Sequence, residues 1–189
     1  MESIYLKLAE NRTLETERLL LRPVTLDDAE DMFEYSSDEE NTRYTFLPNK
    51  DLEETKNIIA RLFISRPLGN WGIELKESSK LIGSIDLHKL DPVLKKAAIG
   101  YVIHKNYWNQ GLATEALKEI IQLAFESLNM NMLVALHDVE NPASGRVMEK
   151  AGMNFSHIDP YAALDLHKEG RISQRAYYRL TKEDYLKKY

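Results

Sequence analysis

Tyr107-Trp108-Asn109-Gln110-Gly111-Leu112-Ala113-Thr114-Glu115-Ala116 joins two stretches of opposite periodicity. Upstream, Ala97-Ala98-Ile99-Gly100-Tyr101-Val102-Ile103 is apolar, uncharged and rich in β-branched and aromatic residues, which predicts a short buried strand. Downstream, Leu112, Ala116, Ile120, Ala124 and Leu128 recur every four residues, and Leu117, Ile121 and Leu123 widen the stripe. That is the pattern of an amphipathic helix packed on a core. The turn between them has little side-chain bulk at Gly111 and Ala113. A strand feeding a helix through such a turn leaves the first helical N–H groups without intrahelical acceptors, at the positive end of the helix dipole. A phosphate or pyrophosphate is the natural ligand there. The loop carries neither the Gly-x-x-x-x-Gly-Lys-Ser/Thr pattern nor Gly-x-Gly-x-x-Gly, so taken alone it describes a tight turn as readily as a phosphate site.

The surrounding composition narrows the choices. A chain of 189 residues, 43% hydrophobic and 29% charged, is expected to form one domain over residues 1–189 with a substantial core. It has no cysteine, which removes disulfides, thiolate metal sites and cysteine nucleophiles together. The net charge of −5 argues against a general nucleic-acid partner and tolerates a cationic substrate such as an amine. Met1 to Asn11 lacks a signal-peptide core and no run approaches transmembrane length, so a cytoplasmic protein without a membrane partner is expected.

In chain order, Leu19 to Val24 reads as a first strand closed by Pro23. Thr25 caps a helix over Leu26 to Ser36, with Ala29, Met32, Phe33 and Ser36 facing inward. Asp38 to Lys50 is polar and irregular, and Asp51 opens a second helix to about Phe63 with Glu54 in capping-box spacing. Strands follow at Trp71 to Leu75 and Leu81 to His88, the latter alternating apolar and polar. The strand ending at Ile103 and the long helix to Ser127 come next, then a strand over Met132 to His137. Asn141 as N-cap, Pro142 at the first helical position and Gly152 as the stop frame another helix. Met153 to Ile158 and Ser173 to Leu180 are expected to pair as a hairpin turning near Lys168-Glu169-Gly170, ahead of a short terminal helix over Thr181 to Tyr189.

This order resembles the GNAT superfamily of acetyl-CoA-dependent N-acetyltransferases, and within it the branch containing the ribosomal-protein N-terminal alanine acetyltransferases. Three segments carry the likeness, which spans roughly residues 14 to 185: Glu15-Thr16-Glu17-Arg18-Leu19-Leu20-Leu21-Arg22-Pro23 with Asp27-Asp28-Ala29, Ile99-Gly100-Tyr101 through Ala116, and Asn141-Pro142-Ala143-Ser144 with Glu149-Lys150-Ala151-Gly152-Met153. The resemblance implies an α/β (α+β) fold: a mixed, mostly antiparallel sheet of six to seven strands, flanked by about four helices and split between its central strands. It implies acetyl-CoA as cosubstrate, with its pyrophosphate on backbone N–H groups of Asn109, Gln110, Gly111, Leu112, Ala113 and Thr114. Its pantetheine would run beside Val102 and Ile103, with Asn141 and Ser144 close by. The reaction implied is acetyl transfer to a primary amine, possibly a protein N-terminus, with the N–H of Ile103 stabilising the oxyanion.

Two departures bear on chemistry. Trp108 stands where many superfamily members place Arg or Gln, and Met148 stands where many place the tyrosine that protonates the thiolate. The branch resemblance offers Ser144 as that acid; its alternative duty is to satisfy backbone groups in the first turn of its helix. For the general base, Asp86 and His88 share one strand face with Ser84, with Glu74 on the neighbouring strand. A solvated sheet face explains the same pattern. Ala98 stands where relatives often have Glu. His104 is read as a solvent-facing strand end, His137 and His157 as strand residues without metal-ligand spacing, so no metal is assigned. Tyr177-Tyr178 is read as packing the final strand, with one ring near the substrate. A catalytically idle acyl-CoA-binding sensor, or an acetyltransferase for a polyamine or aminoglycoside, stays open at this stage, and a homodimer is plausible.

Overall fold

The computed structural model describes residues 3–188. One eight-stranded sheet runs in the order β1-β2-β3-β4-β5-β6-β8-β7, formed by β1 (Leu14–Glu15), β2 (Leu19–Arg22), β3 (Asn70–Leu75), β4 (Lys80–Asp91), β5 (Lys96–Ile103), β6 (Met132–Asp138), β7 (Asn154–Leu164) and β8 (Ile172–Thr181). All neighbours are antiparallel except β5 and β6, which run parallel. The helices are α1 (Ile4–Glu10), α2 (Ala29–Ser36), α3 (Glu39–Thr42), α4 (Leu52–Ile58), α5 (Leu112–Gln122), α6 (Pro142–Lys150) and α7 (Lys182–Lys188). The mixed sheet is thus one or two strands wider than expected, and short helices raise the helix number.

Local signals explain most boundaries. Thr25 and Asp28 form a reciprocal capping box ahead of α2, and Asp38, Asp51 and Asn141 accept from backbone N–H groups at the starts of α3, α4 and α6. Both α4 and α5 continue as π-helical turns, Ile59–Ile64 and Leu123–Ser127. Pro160 falls in β7, an edge strand, where a missing N–H costs no ladder bond.

The sheet has a core on each face. One gathers Leu19, Leu21, Ile85, Ile99, Ile103 and the inner stripe of α5; the other gathers Val24, Ala29, Met32, Tyr35, Ile59 and Leu81 under α2 and α4. Leu112, Leu117, Ile120 and Ile121 are all fully buried, and each contributes roughly 1.5–3 kcal/mol by leaving water. The first core also contains Ile4 and Leu8 of α1, a helix the sequence reading did not anticipate.

The feature that creates a site lies between β5 and β6. Their parallel pairing runs from Lys96↔Met132 to Ile99↔Ala135 and stops. Beyond it β5 continues through residues 100–103 and β6 through residues 136–138 without pairing to each other, so the sheet opens into a V.

Candidate active site

A cleft of about 670 Å³ fills this V and extends to the start of α5. The chain's local geometry prepares that end for an anion. Asn109 and Gly111 both adopt left-handed backbone conformations (φ 60° and 80°), which fold the loop back beneath the helix. Gly111 is the N-cap of α5 and offers no side-chain acceptor, in contrast to the caps of α3, α4 and α6. The first intrahelical bond is Glu115 N–H to Gly111 O (3.0 Å), which leaves Leu112, Ala113 and Thr114 N–H groups for a ligand. Asn109, Gly111, Leu112, Ala113 and Thr114 all line the cleft; Gln110 does not. Its Nε2 donates to Asn106 O (3.0 Å) and its carbonyl accepts from Arg18 Nη1 (3.0 Å).

Arg18 connects the first sequence motif to this loop. Glu115, in the first turn of α5, accepts from Thr16 Oγ1 (2.7 Å), from Arg18 N–H (2.9 Å) and from Arg18 Nε (2.7 Å). Burial pushes the Glu115 carboxyl up, but these hydrogen bonds and the Arg18 charge outweigh it and hold the group below the usual carboxylate range.

The register decides which backbone groups of β5 face the opening. His104 N–H donates to Ile82 O (2.7 Å), and the ladder continues through Gly83↔Ile103, Ser84↔Val102, Ile85↔Tyr101 and Asp86↔Gly100. Bonded pairs alternate in an antiparallel ladder, so Gly100 and Val102 turn their amides toward β4, while Tyr101 and Ile103 turn theirs toward the V. Val102 therefore meets the cleft with its side chain, and Ile103 with its backbone. The Ile103 carbonyl is already engaged by Trp108 Nε1 (2.7 Å) and Asn41 Nδ2 (3.2 Å). Only its N–H remains for a ligand. Trp108 thus ties the loop back to the end of β5.

Side chains alternate as strictly. Gly100 and Val102 lie on the α2 face with Ser84 and Asp86, which line the cleft. A Cβ at Gly100 would come within 2.7 Å of Asp86 Oδ1, so the missing side chain makes room for that carboxylate. His88 stands behind it, outside the cleft lining, with Nδ1 3.1 Å from Asp86 Oδ2. Glu74 is not part of this group; it pairs with Arg22, which also binds Asp28 bidentately.

Tyr101 lies on the opposite face, toward α6. Its hydroxyl is 2.9 Å from both the carbonyl oxygen and Oγ of Ser144. Asn141, Ser144 and Met148 line the same wall, with Asn141 Oδ1 accepting from Ser144 N–H (3.4 Å). α3, the loop after it, the end of β6 and the terminal hairpin add residues without motif signatures: Glu40, Tyr44, Phe46, Asp138 and Arg175. Arg175 Nη1 is 3.5 Å from Asp138 Oδ2 and donates to Tyr44 O (3.4 Å), which ties hairpin, β6 and loop together.

Two aromatic and imidazole readings change. His104 is buried rather than solvent-facing, held edge-on against Tyr35 and Tyr107 with Nε2 3.5 Å from Glu34. Tyr178 packs on His137 and donates to Glu149 (3.0 Å), while Tyr177 stacks on His157, and neither tyrosine lines the cleft. Among the described residues no cluster of three or more His, Asp or Glu could hold a metal, and no helix is long and apolar enough to cross a membrane.

Residues 18–154 match the family model described as an acetyltransferase (GNAT) domain. YoaA of Bacillus subtilis (strain 168), an uncharacterised N-acetyltransferase, is 36% identical over 143 residues, covering 74% of this chain and 81% of its own. The ribosomal-protein-serine acetyltransferase of Escherichia coli (strain K12) is 27% identical over 119 residues, covering 63% of this chain and 60% of its own. The crystal structure of a GNAT-family acetyltransferase from Bacillus anthracis superposes with a TM-score of 0.81 at 27% identity, covering 90% of this chain and 99% of that one.

Proposed function

This chain belongs to the GNAT family of acetyl-CoA-dependent acetyltransferases, and on that footing we propose that its acceptor is the α-amino group of a protein N-terminus, ribosomal proteins being the first to test. Acetyl-CoA supplies an acyl group already activated as a thioester. The N–H groups of Leu112, Ala113 and Thr114 hold its pyrophosphate, the Ile103 N–H faces the acyl oxygen, and Asn141 and Ser144 flank the thiol end. Arg146 and Lys150, exposed on α6 and lining the same cleft, offer positive charge for the remaining phosphate.

The observation that carries this reading is that Asp86 and Ser144 line one cleft from opposite faces of the sheet, beside the unpaired edge of β5. An amine approaching on the α2 face meets Asp86, which takes its proton and passes it to His88. On the α6 face Ser144 donates a hydrogen bond to the departing sulfur. Such a base or acid is worth about 10²–10⁴-fold, and holding both reactants in register supplies more. The acceptor side favours a peptide end. Tyr44 and Phe46 give apolar walls, and Glu40 and Asp86 give negative charge for an ammonium. The Escherichia coli relative acts, by its name, on a ribosomal protein.

Thiol release from acetyl-CoA tests this against N-terminal peptides of ribosomal proteins, Nα-blocked lysine peptides, spermidine and aminoglycosides, with mass spectrometry placing the acetyl group. A higher kcat/KM for free N-termini than for every other class is expected. A polyamine or aminoglycoside as the best acceptor would overturn the assignment.

A further inference from the structure

The Tyr101–Ser144 contact has more content than a tie between a strand and a helix. Tyr101 Oη lies 2.9 Å from two atoms of one residue, the carbonyl oxygen and Oγ of Ser144. The carbonyl can only accept, and the phenol has one hydrogen. Two proton arrangements follow. In the first, Tyr101 donates to the carbonyl and the serine hydroxyl donates to Tyr101 Oη, away from the cleft. In the second, Tyr101 donates to Ser144 Oγ, and the serine hydrogen is free to turn into the cleft. Equal distances let the pair switch by hydroxyl rotation alone, with no heavy atom moving.

We propose that Tyr101 is a positioning residue that sets the direction of the Ser144 hydroxyl, switching to Oγ when a thiolate occupies the cleft so that Ser144 donates to the sulfur. This rests on the placement of the thiol end beside Ser144 given above. A serine hydroxyl is far too weak an acid to give its proton outright to a thiolate, so its service is a hydrogen bond, strengthened when its own oxygen accepts one. Tyr101 stays neutral throughout: burial pushes its phenol well above the ordinary range, opposed by the Ser144 contact and reinforced by Tyr178. Met148, one turn further along α6, lines the cleft and has no hydrogen to give.

The test is the proton released when coenzyme A binds, read by calorimetry in buffers of different ionisation enthalpy near pH 8.5, around ordinary thiol pKa values. A hydrogen-bonded thiolate ionises about one unit lower, a tenfold shift, so binding releases a fraction of a proton. Desulfo-coenzyme A removes the contribution of the sulfur and leaves those of the phosphates and of the groups near the pair, His137, Tyr178, Glu149 and Asp86. We expect release with coenzyme A in the wild-type protein, a smaller release in Tyr101→Phe and none in Ser144→Ala, with affinity for desulfo-coenzyme A unchanged. If Tyr101→Phe is poorly folded, 3-fluorotyrosine at position 101 keeps the shape and, as a stronger donor, enlarges the release. Equal release in wild type and Tyr101→Phe, or none in the wild type, overturns the positioning role. Ser144→Ala transferring acetyl at the wild-type rate would instead overturn the placement of the thiol end.

Discussion

β5 contains two regions that share one backbone and differ in what lies along one edge. Over Lys96 to Ile99 it is flanked by β4 and β6, and Ala97 and Ile99 enter the core. Over residues 100–103 it keeps β4 and loses β6. The residue types barely change between the halves; what changes is whether the outer N–H and C=O groups already have partners. A strand becomes a binding surface where the fold withdraws its neighbour. Changes in the paired half should therefore cost stability, and changes around the open half should cost binding or turnover.

The largest effect expected is from Leu133→Ala, paired with Ala97 in the closed half and outside the cleft lining. It empties part of the closed core, and a loss of about 2–5 kcal/mol in urea unfolding should appear with coenzyme A affinity of the folded protein retained. Affinity falling in step with stability would mean the halves are not separable. Ser144→Ala should do the reverse: turnover down about 100-fold, with stability changed by no more than roughly 1 kcal/mol.

Gly111→Ala forces a left-handed conformation on an alanine, costing roughly 1–2 kcal/mol, while its nearest foreign atom, Arg18 Nη2, is at an ordinary 3.5 Å. The loop should relax, and coenzyme A affinity measured by calorimetry should weaken about tenfold. Gly100→Ala acts on the acceptor face instead, because the new methyl group displaces the Asp86 carboxylate. A several-fold drop in kcat/KM for the amine is expected at unchanged coenzyme A affinity, and steady-state kinetics with binding data will tell.

The smallest effect concerns the anchor of the loop. The Glu115 carboxyl is held below its unfolded value, so it contributes stability above the unfolded pKa of about 4.3 and loses it as pH falls through the folded one. Glu115→Gln should be less stable than the wild type at neutral pH. The two unfolding curves should converge once both carboxyl states are protonated; a gap that persists in acid would assign the effect to lost hydrogen bonds alone.

Much of this molecule is legible along the chain. The four-residue recurrence from Leu112 to Leu128, the alternation from Leu81 to His88 and the cap at Asn141 all correspond to the observed elements. The loop before α5 is readable because a left-handed glycine closes it and leaves the first helical N–H groups without acceptors. By contrast, α1 has only two buried residues in seven, too few to write a period. His104 looks like a strand end in sequence and is buried because α2 brings Tyr35 over it. Asn41, Tyr44 and Arg175 carry no local signature; they reach the cleft only because α3, its following loop and β8 converge there.

What the amino-acid order determined by itself was most of the longer elements, their caps and the tight turn before α5, since periods of two and of 3.6 residues are properties of the local backbone. Tertiary structure alone decided where β6 departs from β5, which face each polar side chain of β4 and β5 meets, and that Tyr101 finds Ser144 forty-three positions away. Those outcomes depend on pairing register and on helices packed against either face, and neither is a property of any short stretch of chain.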